Sequence, residues 1–403
     1  MGQSASQLVV KHKQTADLFA FKGHYQMALQ NYQDALQLYL KSAKSDTSQV
    51  ADFLIQIGST YLKLSQYEEA LKCFEKSLEI YSKIFGENDS HIIMACDKIG
   101  WTYQKMSQFE KALEYYNQSL SIRIQKWGEN HSSLSNLYNR IASTYEGMSD
   151  FAKAFEHYEK SLNLISKQFG EKSLHMAQIY ENIASLYEKE EKYDDAITYY
   201  TNSMNLFKGN FGEFCPEVAT CYAHIGIVYL LKEDLKSAME FHNKGLELLK
   251  SVFGENHVDV ASFLTNIAET LEKKGIFDKA LEKYIKAVEI LSQTVGEKRH
   301  ATAQLYNKIA SILIKQEFHD QALAYFKKSL VIKTELYGEN HSEIALAYFE
   351  LGNLLESLNM QHEAKLSWQK SYEIKSRILE KENRSQSVIS VGRGRAQSIP
   401  CQI

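Results

Sequence analysis

Proline is almost missing: 2 occur in 403 residues, so little in the backbone repeatedly interrupts a helix. Cysteine is scarce and odd in number, at Cys73, Cys96, Cys215, Cys221 and Cys401, without paired metal-ligand spacing. That excludes a disulfide scaffold and predicts a reduced, cytoplasmic chain. No run approaches the ~18 consecutive apolar residues of a membrane span, and no charged-then-apolar leader opens the sequence. Neither sign of charge dominates. The 46 Lys and Arg against 50 Asp and Glu leave −4, which offers no basic footprint for nucleic acid. There is no Gly-rich phosphate loop, nucleophile elbow or His-Glu-x-x-His motif, so neither an enzyme nor a cofactor is expected.

What is present is a core-forming composition, 44% hydrophobic and 12% aromatic, organised by a fixed period. A small residue recurs at Ala16, Gly58, Gly100, Ala142, Ala184, Gly226, Ala268, Ala310 and Gly352, each 42 residues after the last. Twelve residues after each stands an alanine, from Ala28 and Ala70 to Ala322 and Ala364. Two antiparallel helices approach closely only where facing side chains are small, so these positions are predicted to meet. Four residues after the alanine come Tyr32, Phe74, Tyr116, Tyr158, Tyr200, His242, Tyr284, Phe326 and Trp368, on the same helical face. Three after the small residue come Phe19, Tyr61, Tyr103, Tyr145, Tyr187 and Tyr229, then Leu271, Leu313 and Leu355, a second expected core layer. A Gly-Glu pair closes seven of the nine units, at Gly86, Gly128, Gly170, Gly212, Gly254, Gly296 and Gly338, where a left-handed turn is predicted. His131, His257 and His341 fall in the loops that follow and are read as loop punctuation, not metal ligands.

The order of small residue, aromatic, turn, aromatic, alanine, aromatic, as in Gly58 with Tyr61 and then Tyr67, Ala70 and Phe74, resembles the tetratricopeptide repeat. The usual unit is ~34 residues; the longer unit ending Phe-Gly-Glu-Asn or Tyr-Gly-Glu-Asn-His is similar to kinesin light chain repeats. Glu181-Asn182-Ile183-Ala184 and Thr265-Asn266-Ile267-Ala268 carry that similarity. The resemblance implies a right-handed, all-α superhelical solenoid of nine hairpins over residues 9–386. It also implies that Asn182 and Asn266 hold peptide backbones. Kinesin light chains place a heptad coiled coil ahead of their repeats, whereas here the first repeat starts near residue 9.

In such a solenoid the first helix of each hairpin faces a groove. Positions three before, one after and four after the small residue share that face at 100° per residue. They give Asp97, Trp101, Asn139, Ser143, Glu146, Glu181, Ser185, Glu188, Thr265, Glu269, Glu272, Asn307 and Ser311 as residues expected to pair with an extended peptide. Trp101 is the expected anchor.

The ends differ. Residues 1–8 carry Met1-Gly2-Gln3-Ser4-Ala5-Ser6, a pattern for myristoylation at Gly2 that would give weak, reversible membrane attachment. Residues 387–403 read as a basic, Ser-rich disordered tail, with Ser387 and Ser398 three residues after arginines as phosphorylation candidates for phosphoserine-reading adaptors. Trp368, Ile374, Ile378 and Leu379 on the last helix suggest an uncovered end that invites self-association. The expected function is a non-catalytic scaffold or adaptor for proteins or extended peptides. The rival reading is a structural component of a ciliary, cytoskeletal or motor complex.

Overall fold

The same hydrogen bond closes the turn inside every repeat. In the second repeat the Gln66 amide donates to the Tyr61 carbonyl at 2.9 Å, and equivalent bonds of 2.8–2.9 Å recur at His24, Gln108, Asp150, Lys192, Asp234, Ile276, Phe318 and Met360. This six-to-one closure satisfies a carbonyl left open at the helix C-terminus and needs one residue at positive φ. Gly23 and Gly275 fill that position twice; Ser65, Ser107, Ser149, Glu191, Glu233, Glu317 and Asn359 fill it at φ 57–66°. The left-handed helical region tolerates a side chain at modest cost, so the turn does not demand glycine.

The computed structural model describes residues 5–42 and 47–394. All regular elements among them are α-helices, and the chain divides into two compact units, Met1–Leu206 and Phe207–Ile403. In the first unit the hairpins are α1 (Ala5–Phe21) with α2 (Tyr25–Ser42), α3 (Ser48–Lys63) with α4 (Tyr67–Phe85), α5 (Ser90–Lys105) with α6 (Phe109–Trp127), and α7 (Ser133–Gly147) with α8 (Phe151–Phe169). A fifth hairpin pairs α9 (His175–Lys189) with α10 (Tyr193–Phe211), whose last residues begin the second unit. There follow α11 (Pro216–Leu231) with α12 (Leu235–Phe253), α13 (Val258–Lys273) with α14 (Phe277–Thr294), α15 (His300–Lys315) with α16 (His319–Tyr337), and α17 (Ser342–Ser357) with α18 (Gln361–Gly394). Among the described residues, nine hairpins at the predicted register make an all-α repeat solenoid.

Within a hairpin the small residue packs against the aromatic sixteen positions later. A methyl group added at Gly58 would lie 2.6 Å from the Phe74 ring, at Gly100 2.8 Å from Tyr116, and at Gly352 2.5 Å from Trp368. The alanines twelve positions on, such as Ala70, Ala112 and Ala154, are fully buried, as are Phe74, Tyr116 and Tyr284. The other expected aromatic layer is only half-buried: Tyr103 stacks on Tyr115, Tyr187 on Tyr199 and Tyr229 on Phe241, with centroids 5.4–5.8 Å apart.

The glycine closing each repeat differs from the one inside the turn. Gly86, Gly128, Gly170, Gly254 and Gly338 combine φ 76–82° with ψ 166–178°. That is not the left-handed helical turn expected from sequence but an extended, positive-φ conformation essentially reserved for glycine. The following histidines then start the next helix. His257 and His341 accept through Nδ1 from the amides of Asp259 and Glu343 at 3.3 and 3.2 Å, and their rings stack on Phe253 and Tyr337 at 4.2 and 4.6 Å. His131 does the same against Trp127.

At the far end, Ile374 is buried against Ile344 and Ala345 with Ile378 alongside, and Trp368 packs within the ninth hairpin. Of the residues read as an uncovered end, Leu379 is the exposed one, joined by Tyr372. The backbone of α18 is helical to Gly394, past residue 387 where the tail was expected to begin. No proline and no glycine lie between Gln361 and Gly392 to stop it. Gly2 and Ser398 lie outside the described residues. Among the described residues no helix is long and apolar enough to cross a membrane.

Candidate functional site

Two clefts form on the faces of first helices. In the first unit, α3, α5 and α7, with Arg123 from α6, enclose about 460 Å³ lined by Lys63, Met94, Asp97, Lys98, Trp101 and Arg140. In the second unit, α13, α15 and α17 enclose about 840 Å³, lined by Thr265, Asn266, Glu269, Gln304, Asn307, Lys308 and Ser311, with Lys333 and Glu343 at its wall. Each cleft thus draws on three consecutive hairpins, the geometry that lets an extended chain run across repeats.

Trp101 is half-buried, packed against core residues of its own and the neighbouring hairpin, with Lys105 Nζ 5.6 Å from the ring centroid. Asp97 does not face the cleft as a free carboxylate. It accepts from Ser119 Oγ at 2.6 Å and pairs with Arg123 at 2.5 Å, so its charge is matched by its own hairpin. Lys63, Lys98 and Arg140 remain, and the cleft is cationic. Burial first, then the neighbouring Arg140 and Lys63, pushes the Lys98 ammonium below its ordinary value. The second cleft carries both signs: Lys308 pairs with Glu269 at 3.3 Å and Lys333 with Glu343 at 3.2 Å.

The remaining expected residues separate into three groups. Asn266, Glu269, Asn307 and Ser311 come together in the second cleft. Asn139 and Asn182 meet each other, the Asn182 amide donating to Asn139 Oδ1 at 3.1 Å across successive hairpins, while Gln104 donates to Ser143 Oγ at 2.8 Å. Ser185 is half-buried on α9. The third group serves the hairpins themselves. Glu146, Glu188 and Glu272 accept from the buried hydroxyls of Tyr158, Tyr200 and Tyr284 at 3.0, 3.4 and 3.3 Å, and Glu181 accepts from Ser203 at 3.1 Å. Desolvation raises the Glu188 carboxyl above the ordinary range.

Positions four after the small residue therefore look across the hairpin. The sequence holds a signal for this that spacing alone misses. Where the deep aromatic is Tyr116, Tyr158, Tyr200 or Tyr284, the residue twelve before it is Gln104, Glu146, Glu188 or Glu272; where it is Phe74, His242 or Phe326, that residue is Leu62, Leu230 or Ile314. A buried hydroxyl requires an acceptor, and a phenyl ring does not. Residues two before the small position, Lys98, Arg140 and Lys308, were missed as cleft residues although they lie one helical turn from Trp101 or its counterparts.

No curated protein matches the sequence. Among solved structures, BtubC (BKLC) from P. vanneervenii is 22% identical, covering 57% of this chain and 92% of that one at a TM-score of 0.49. RapI in its apo form is 14% identical, covering 72% and 99% at a TM-score of 0.49. The model of the tetratricopeptide repeat matches residues 49–125, 133–200, 175–251 and 301–377, well over half of the chain. With the nine-hairpin architecture in place, that match makes the chain a member of the tetratricopeptide repeat family.

Proposed function

We propose that this repeat array is a non-catalytic scaffold whose two clefts bind extended peptide segments of partner proteins. The observation that carries the reading is the pair of clefts, each built from the first helices of three consecutive hairpins, the first lined by hydroxyl, charged and apolar side chains around Trp101 and the second by amide, hydroxyl and charged ones. A peptide in an extended conformation leaves its backbone groups unpaired, and Asn266, Asn307 and Ser311 offer donors and acceptors for them. Around Trp101 the excess of cations favours a segment that brings carboxylates beside an apolar side chain.

The test uses fluorescein-labelled extended peptides of matched length, one Glu- and Leu-rich and one Lys- and Leu-rich, titrated against the full chain by fluorescence anisotropy. The acidic peptide is expected to bind with a salt-dependent affinity that falls at least tenfold in Trp101→Ala with Arg140→Ala. Equal affinity of both peptides, unmoved by that double substitution, refutes the assignment of the first cleft. For the second, Asn266→Ala with Asn307→Ala is expected to weaken peptide binding without changing the effect at Trp101.

A further inference from the structure

A third cavity, of about 540 Å³, lies at the start of the first unit, within the ~300–1,000 Å³ range of small-molecule sites. Val9 and Val10 of α1, Phe53 and Ile55 of α3 and Met94 of α5 form its apolar wall. Val9 and Phe53 also belong to a buried cluster with Ala35, whereas Val10 stays 54% exposed, an apolar surface the fold leaves uncovered. Asp52 borders the same space, but its carboxylate already accepts from the Tyr81 hydroxyl at 2.5 Å. Lys13, Gln49, Gln56 and Tyr39 line it as well, so the cavity offers hydrocarbon one apolar wall beside polar neighbours.

Ser6 lines this cavity too. It is the serine that completes the acylation pattern beginning at Gly2, so the modified residue lies four positions away, a reach of ~14 Å at most. A lipidation pattern in the sequence and a cavity whose apolar wall comes from three helices thus converge on one place, by independent routes.

We infer that Gly2 carries a myristoyl chain and that this cavity is where the chain sits. The acyl donor is an acyl thioester. After Met1 is removed, the Gly2 amine attacks the thioester carbonyl, the amide C–N bond forms, the C–S bond breaks, and the amine proton leaves with the thiol. One such chain binds a bilayer with only ~10⁴ M⁻¹. A cavity that covers its methylenes competes with the membrane at that level, so the seated chain keeps the protein off the bilayer. The inference stands apart from the peptide clefts, and its failure leaves them unaffected.

The full chain is co-expressed with an N-myristoyltransferase and fed myristate, alongside Gly2→Ala, Val10→Asp and Met94→Glu. Intact mass is expected to show one acyl group on the wild-type chain and none on Gly2→Ala. The acylated wild type is expected to melt several degrees above Gly2→Ala and to sediment with phosphatidylcholine vesicles at least tenfold less than acylated Val10→Asp or Met94→Glu. Val10 is exposed, so its replacement tests the cavity without endangering the fold. Absence of the acyl mass overturns the inference. So does equal sedimentation of the acylated proteins with no melting shift, which would leave the cavity to a partner's side chain or a second copy.

Discussion

Replacing Gly254 by alanine isolates the conformational requirement of the inter-repeat loop. Gly254 sits at φ 82° and ψ 178°, and a methyl group built there meets no atom within 4 Å. No clash and no burial accompany the change, so its effect on the folded state is backbone strain alone. Strain of this kind is ~1–3 kcal/mol, and the stiffer unfolded chain of alanine offsets ~0.4–1 kcal/mol of it. The net loss is about 1–2 kcal/mol, or ~2–8 °C for a unit of roughly 200 residues. The control is Glu233→Gly, at φ 62° inside a hairpin turn. There, relief of left-handed strain and added unfolded-state freedom nearly cancel, and the expected change is within ~0.5 kcal/mol. Thermal unfolding of the full chain, with hydrogen exchange read over Lys250–Ala261, measures both. If Gly254→Ala is as stable as wild type, or if Glu233→Gly loses as much, the distinction between the two glycine-like positions is wrong.

Two further outcomes follow from buried polar groups. Glu146→Leu strips the acceptor from the hydroxyl of Tyr158, a residue 1% exposed, and should destabilise by ~1–3 kcal/mol. Adding Tyr158→Phe, the pairing already present at Leu62 and Phe74, should restore most of that loss in denaturant unfolding; a double variant no better than the single one contradicts the cross-hairpin role. Burial lowers the His242 imidazole to about 4, below its ordinary 6.5. Stability from the neutral ring is then complete above pH ~6.5 and declines by ~3 kcal/mol as the pH falls toward 4, because the unfolded chain takes up the proton first. His242→Phe, the aromatic that repeats with an apolar residue opposite already use at Phe74 and Phe326, should flatten that part of the profile, and an unchanged pH slope would show the proton binds elsewhere.

The hairpin register was legible because its determinants repeat: an alanine such as Ala154 has no room for variation, so nine copies expose the rule. The turn between Tyr61 and Tyr67 was legible as a turn, but its left-handed residue, Ser65, was not, since serine does not advertise positive φ. Face assignment by rotation placed Asn266, Asn307 and Ser311 in a cleft, yet it assigned Glu146 and Glu188 to the same surface. Rotation reports which way a residue leaves its helix, not what stands opposite. For Glu146 the deciding neighbour is Tyr158 on the partner helix, and only reading the two columns together across repeats reveals it. The cationic character of the first cleft was hidden for a similar reason, because Asp97 counts as an acid in the sequence while Arg123 cancels it in space.

Lys189 reaches back to Glu146 at 2.7 Å and Lys315 to Glu272 at 2.7 Å, each pair 43 residues apart. Asn182 and Asn139 make the same step. The two ion pairs join hairpins at the C-terminal ends of their first helices and the amide pair joins them midway along, so each links one hairpin to the next. Within a unit these polar struts supplement the close-packed apolar stack that joins successive hairpins. A peptide lying across three hairpins would act as one more strut in parallel, and the unit that holds it would become the stiffer spring.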